Sequence, residues 1–297
     1  MPTDPQLGAI LTAMVTPFGP DGELNESATR RLARHLVDHG SDGIVVSGTT
    51  GESPTLTDKE KLRLFDVVLD EVGGDGTVIA GTGSNDTRHS IHLTEKASRR
   101  DVDAVLVVTP YYNKPPRAGL VAHFRAVAES TEKPVMIYNI PSRTGINLEP
   151  DLQAELAQVE NIVAVKQANS DMDQARQIIS AGLALYAGDD NLLRPFAEIG
   201  GAGGVTVTSH VLGEQMKEMY EAARAGDSER AQELDDRLRD AVETIFMTVG
   251  TITTKAALNM LGIEVGGLRL PLVEASKQER AAVQAMLERH RLVASAA

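Results

Sequence analysis

The chain has 297 residues, 42% hydrophobic and 24% charged, and carries a formal net charge of -13. That acidic balance argues against a nucleic-acid footprint or docking on an anionic membrane. The absence of cysteine excludes disulfides, thiolate nucleophiles and cysteine-ligated zinc, and aromatics at 3% with no Trp require an aliphatic core.

Residues 1–7 hold no basic region and no apolar stretch, so no signal peptide is expected. No run of about 18 apolar residues announces a membrane span. With the missing cysteines, these readings point to a cytoplasmic protein. Residues 10–15 read as a short strand, and Gly19-Pro20-Asp21-Gly22 as a turn. Asn25 suits the N-cap of a helix reaching about His39, with Ala28, Leu32 and Leu36 on one face. Residues 43–47 form the second strand, followed by the loop Gly48-Thr49-Thr50-Gly51-Glu52. Thr57 and Glu60 fit a capping box that opens a helix to about Val72. Strands over 77–81, 104–109, 134–138, 162–166, 183–187 and 204–207 then alternate with helices over 86–100, 119–130, 150–158, 173–181, 192–199 and 212–225.

Eight strand–helix units, roughly 25 to 30 residues apart, are the pattern of an α/β (β/α)8 TIM barrel. A doubly wound open sheet is the rival, and regular units with short loops favour closure. After Gly226 the alternation stops, and 227–249, 252–261 and 276–292 read as further helices. The expected organisation is a catalytic barrel over 1–225 and a C-terminal helical extension over 226–297.

The run Ile162-Val163-Ala164-Val165-Lys166 places a lysine at the end of a strand apolar enough to be buried on both faces. Burial lowers a lysine's pKa, and a neutral amine forms Schiff bases with carbonyls. The residues that follow, Gln167, Ala168, Asn169 and Ser170, offer it no carboxylate. Enzymes of this fold build their sites at the carboxyl ends of the strands. Thr49 and Thr50 follow strand 2, Tyr111 and Tyr112 follow strand 4, Tyr138 ends strand 5 with Arg143 in its loop, and Gly188 ends strand 7. Strands 5 and 6 are neighbours in a barrel, so Tyr138 and Lys166 can meet. Other features read as structural. The glycine spacing at 48–51 is not that of a P-loop, Thr82-Gly83-Ser84 is half a nucleotide fingerprint, and His35 with His39 lacks the Glu of a zinc-protease helix. Lys255, the one other lysine in an apolar setting, sits on a helix outside the barrel.

The segments Gly48-Thr-Thr-Gly-Glu, Pro110-Tyr-Tyr-Asn-Lys-Pro, Tyr138-Asn-Ile-Pro-Ser-Arg-Thr-Gly, Val165-Lys166 and Gly188-Asp-Asp, in this order and spacing, resemble the dihydrodipicolinate synthase family, pyruvate-dependent class I aldolases. The resemblance covers nearly the whole chain. It implies that Lys166 forms a Schiff base with pyruvate and that the enamine attacks aspartate semialdehyde, with no cofactor or metal. It implies that Tyr138, Thr50 and Tyr112 pass protons, with Tyr112 supplied by the neighbouring subunit of a homotetramer. It further implies that Thr49 and Thr50 hold the pyruvate carboxylate, Arg143 clamps the semialdehyde carboxylate, and Gly188 and Val205 contribute backbone groups near the lysine.

Two departures stand out. Many members carry Glu or Asp after the lysine, where this chain has Gln167. In members inhibited by lysine, a second site at the dimer interface uses histidines and a glutamate; the matching positions here are Asp58, Lys61 and His89, while Ser53, Asn85 and Tyr111 remain. A cationic amino acid would meet Lys61 and find no glutamate, so weak or absent lysine feedback is expected. The rival functions are another pyruvate aldolase of the superfamily, such as N-acetylneuraminate or sugar-acid lyase, and a catalytically silent ligand-binding member. Arg143 speaks against the first and the full set of catalytic residues against the second.

Overall fold

Strands β1 (Ile10–Ala13), β2 (Gly43–Val46), β3 (Thr77–Gly81), β4 (Ala104–Val108), β5 (Val135–Asn139), β6 (Ile162–Gln167), β7 (Ala184–Ala187) and β8 (Gly203–Thr206) pair in parallel and in sequence order. β1 also pairs with β8, so the sheet closes and the open-sheet rival is excluded. The computed structural model describes residues 6–293, so the part of the signal-peptide reading that rests on residues 1–5 lies outside the described residues. Strands covered on one side by helices and on the other by their own barrel must be apolar throughout. Accordingly Ile44, Val45, Ile79, Val105, Ile137 and Val165 are all fully buried. Each such side chain contributes about 1.5–3 kcal/mol on leaving water.

The helices start where local chemistry starts them. Asn25 caps α1 (Glu26–Asp38) by accepting from the Ala28 amide, and Ala28, Leu32 and Leu36 face inward. Thr57 and Glu60 form the expected reciprocal capping box on α2 (Asp58–Val72). Helices α3 (Thr87–Ser98) and α4 (Arg117–Glu129) complete the first half of the barrel.

Around the sixth strand the structure differs from the sequence reading. β5 and β6 each run one residue further, to Asn139 and Gln167, which pair with each other. A hydrophobic pattern stops at the last apolar residue, whereas the backbone ladder does not. The loop expected after Tyr138 contains a one-turn helix, α5 (Pro141–Thr144). Pro141 presets the first helical φ, and Gly145 at φ 73 ends the turn in the left-handed region that glycine adopts freely. Helices α6 (Pro150–Leu156), α7 (Met172–Ser180) and α8 (Leu193–Glu198) follow. α9 (Ser209–Ala225) starts before the expected Leu212, where the backbone breaks helical geometry at φ -137.

Beyond Gly226 lie α10 (Ser228–Ile245), α11 (Gly250–Met260) and α12 (Lys277–Arg289). α10 packs on α9, with Ala231, Leu234, Leu238 and Ala241 buried. α11 is buried from Gly250 through Leu258. Among the described residues no helix is long and apolar enough to cross a membrane.

Candidate active site

Lys166 lies one residue before the end of β6, and its strand partner on β5 is Tyr138. Paired residues on neighbouring strands point the same way, so both side chains reach the carboxyl end of the barrel. The Lys166 Nζ sits 4.2 Å from the centroid of the Tyr138 ring. They are 6% and 5% exposed, respectively.

Burial pushes the Lys166 amine down to about 8, against the charges of Asp189 and Asp190; Arg143 adds a further push downward. The two aspartates come from the end of β7. No carboxylate follows this lysine along its own strand; the two that act on it come from across the ladder. Burial also raises the Asp189 carboxyl, while Lys166 and Arg143 lower it. Asp190 is buried and accepts from the Val207 amide at 3.0 Å and the Thr208 amide at 2.6 Å, which ties the end of β7 to the start of α9. Burial raises the Tyr138 phenol as well, so it stays protonated and able to donate.

Of the two loop threonines it is the Thr49 side chain that acts on the Tyr138 phenol, partly offsetting the effect of burial. Thr50, expected to pass protons, has its backbone fixed, its carbonyl accepting from Thr251 Oγ1 at 3.2 Å. Arg143 stands exposed on α5, yet its charge acts on both Lys166 and Tyr138. Thr49, Tyr138, Arg143 and Tyr111 line one cavity of about 450 Å³. Asp189, Asp190 and Phe246 line a second, of about 690 Å³, beside α10.

Gly188 closes β7 against β6. Its amide donates to the Gln167 carbonyl at 2.8 Å, and a Cβ there would lie 2.7 Å from the Ala168 Cβ. Val205 is fully buried in β8, paired with Leu11. Tyr112 is not brought to Lys166 within this chain: it is 88% exposed and held at φ 72.

A cluster of buried amides lies at the ends of β5 and β6, and the sequence reading missed it. Asn139 Nδ2 donates to Gln167 Oε1 at 3.1 Å and to Asn147 Oδ1 at 2.8 Å, and Asn139 Oδ1 accepts from the Leu148 amide. Gln153 and Gln174 extend the set. The amides lock the ends of β5 and β6 together without adding a charge beside Lys166. The signal was present: polar Asn139 and Gln167 directly follow Tyr138 and Lys166.

Lys255 is the second lysine that burial pushes down to about 8. Its Nζ is closed off by Glu52 Oε1 at 2.7 Å, the Gly267 carbonyl at 2.6 Å and the face of Phe18. The shift alone does not separate the two lysines; surroundings do. His35 and His39 stack on each other, and no cluster suited to a metal occurs among the described residues.

A closed parallel barrel with a buried, readily neutralised amine at the carboxyl end of one strand is the arrangement of a class I aldolase. A profile of the dihydrodipicolinate synthetase family matches residues 6–290. The 4-hydroxy-tetrahydrodipicolinate synthase of Desulforudis audaxviator is 52% identical over 289 residues, covering 96% of this chain and 98% of its own. The crystal structure of dihydrodipicolinate synthase from Bacillus anthracis superposes with a TM-score of 0.93 at 44% identity, covering 95% of this chain and 98% of that one. The lysine-bound enzyme of Cyanidioschyzon merolae gives 0.94 at 42%, covering 97% and 99%. The chain belongs to the dihydrodipicolinate synthetase family.

Proposed function

We propose that this chain condenses pyruvate with aspartate 4-semialdehyde to give 4-hydroxy-tetrahydrodipicolinate, a step of diaminopimelate and lysine biosynthesis. The observation that carries the reading is the Lys166 amine, pushed to about 8 and poised 4.2 Å over the Tyr138 ring.

The neutral Nζ adds to the ketone carbon of pyruvate, and the carbinolamine loses water to leave an imine. Protons reach and leave the reacting oxygen through hydroxyls within hydrogen-bond reach. Tyr138 fits that role, with Thr49 as its neighbour in the relay. Loss of a methyl proton turns the imine into an enamine, whose carbon attacks the aldehyde. The amino group of the semialdehyde then displaces Lys166 from the imine carbon, closing the ring and freeing the enzyme. The imine itself serves as electron sink, so the chemistry calls for no resident cofactor. Thr49 and Thr50 hold the pyruvate carboxylate, with Gly188 and Val205 offering backbone groups nearby. The planar fork of Arg143 suits the carboxylate of the second substrate.

We infer that the site is completed by a second copy of the chain in a homotetramer of tight dimers. A tyrosine 88% exposed in left-handed backbone is held for something outside its own fold, and Tyr112 would cross to the neighbouring subunit. The barrel over 1–225 and the extension over 226–297 are taken as the two parts of the protein, acting in the cytoplasm.

The test is a parallel assay of pyruvate consumption with aspartate semialdehyde and with N-acetylmannosamine as acceptors. Turnover with the semialdehyde alone is expected. Turnover with the amino sugar alone would transfer the chain to the sugar-acid lyases.

A further inference from the structure

The loop that carries Thr49 and Thr50 is bracketed by Ser47 at φ 60 and Glu52 at φ 57. Neither is glycine, and side chains adopt this left-handed conformation at a cost. Strain of this kind persists only where the surroundings over-determine it. Part of that determination comes from the barrel itself, where Thr16 Oγ1 donates to the Gly51 carbonyl at 2.6 Å.

The rest comes from beyond the barrel. Thr251 and Lys255 lie one turn apart on α11, hence on one face. Thr251 Oγ1 donates to the Thr50 carbonyl at 3.2 Å. Lys255 Nζ lies 2.7 Å from Glu52 Oε1, both side chains 1% exposed. The second carboxylate oxygen of Glu52 accepts from the Arg269 amide at 2.9 Å. One helix face therefore grips the loop at two points, its middle and its end.

A fully buried ion pair is a poor means of gaining stability, because desolvation offsets most of the attraction. Here, however, both of its ends are held in place: Lys255 donates to the Gly267 carbonyl and Glu52 accepts from the Arg269 amide. We propose that Thr251 and Lys255 are positioning residues: through Thr50 and Glu52, α11 fixes where the loop presents its donors to the pyruvate carboxylate. This rests on the pyruvate chemistry assigned above to Lys166. The C-terminal extension is then part of the working site, although no side chain of α11 need touch substrate.

The test compares the parent protein with Thr251→Val and with the double variant Glu52→Gln/Lys255→Met. Thr251→Val keeps the shape and removes one donor. The double variant replaces the ion pair with neutral side chains of similar length and leaves no buried charge unpaired. Pyruvate is titrated in the presence of borohydride, and the adduct on Lys166 is quantified by mass. Half-saturating pyruvate is expected to rise about three- to tenfold in Thr251→Val and about tenfold in the double variant. The thermal midpoint of Thr251→Val should fall by no more than a few degrees, as loss of one part-buried hydrogen bond requires, and a merely structural role predicts that fall with no change in the titration. Half-saturation equal to the parent's in Thr251→Val would overturn the proposal, whether or not the double variant folds. If the parent forms no adduct on Lys166, it is the reaction assigned to the site that fails, and that result is read before either variant.

Discussion

Replacing Asp189 with Asn removes the larger of the two carboxylate charges that oppose the neutral form of Lys166. Burial carries this amine from an ordinary 10.5 to about 8. At pH 7 a lysine at 10.5 is uncharged about 0.03% of the time, and one at 8 about 10% of the time, a gain of roughly 300-fold worth about 3 kcal/mol. Asp189 holds the ammonium form, so its loss moves the amine further down. A close opposite charge moves a pKa by about 1–3 units; Asp189 makes no direct ion pair with Lys166, so about half to one unit is expected. The assay is the initial rate of borohydride-trapped adduct against pH at saturating pyruvate. The rate of the parent should rise with pH and level off above about 8, as the ammonium loses its proton. The acid limb of Asp189→Asn should lie about half to one unit lower, making the variant about three- to tenfold faster at pH 6.5, with an unchanged plateau above pH 9. A limb that stays in place, or moves to higher pH, would refute the electrostatic account of this lysine.

Tyr138→Phe keeps a buried ring packed beside Lys166 and removes only the hydroxyl; steady-state turnover should fall about 10²–10⁴-fold with the thermal midpoint nearly unchanged. Tyr112→Ala, exposed in the single chain, should leave the melting curve intact but lower turnover, and mixing it with Lys166→Ala should regain activity as subunits exchange, since one hybrid site then holds both parent residues. Free lysine at sub-millimolar concentration should not inhibit. Lys61 is buried in the wall shared with Tyr111 and sets an amine where the incoming cation needs a carboxylate, and Asp58 is already engaged by His89 at 2.8 Å; an inhibition curve with a sub-millimolar midpoint would contradict this.

The barrel was legible because its strands are apolar on both faces and its helices announce themselves with caps such as Asn25 and Thr57. The Lys166–Tyr138 pair was legible for a related reason: each ends a strand, and adjacent strands in a closed sheet bring their ends together. What stayed hidden depends on geometry that no linear pattern carries. Asp189 acts on Lys166 across the β6–β7 ladder. Which of the two threonines turns its hydroxyl to Tyr138 is set by the path of a loop that begins and ends in left-handed backbone. The grip of Thr251 and Lys255 joins residues about 200 positions apart in sequence to that loop. Lys255 reads as structural from its place outside the barrel, and it is: the side chain is buried in an ion pair with Glu52 at the end of the loop after β2.

The most direct measurement is the site of covalent capture. Pyruvate and borohydride are added to the intact protein, which is then digested and its peptides weighed. The account expects one reduced pyruvyl adduct, on Lys166, and none on Lys255 despite its equally lowered pKa. An adduct on Lys255, or full trapping in Lys166→Ala, would contradict it.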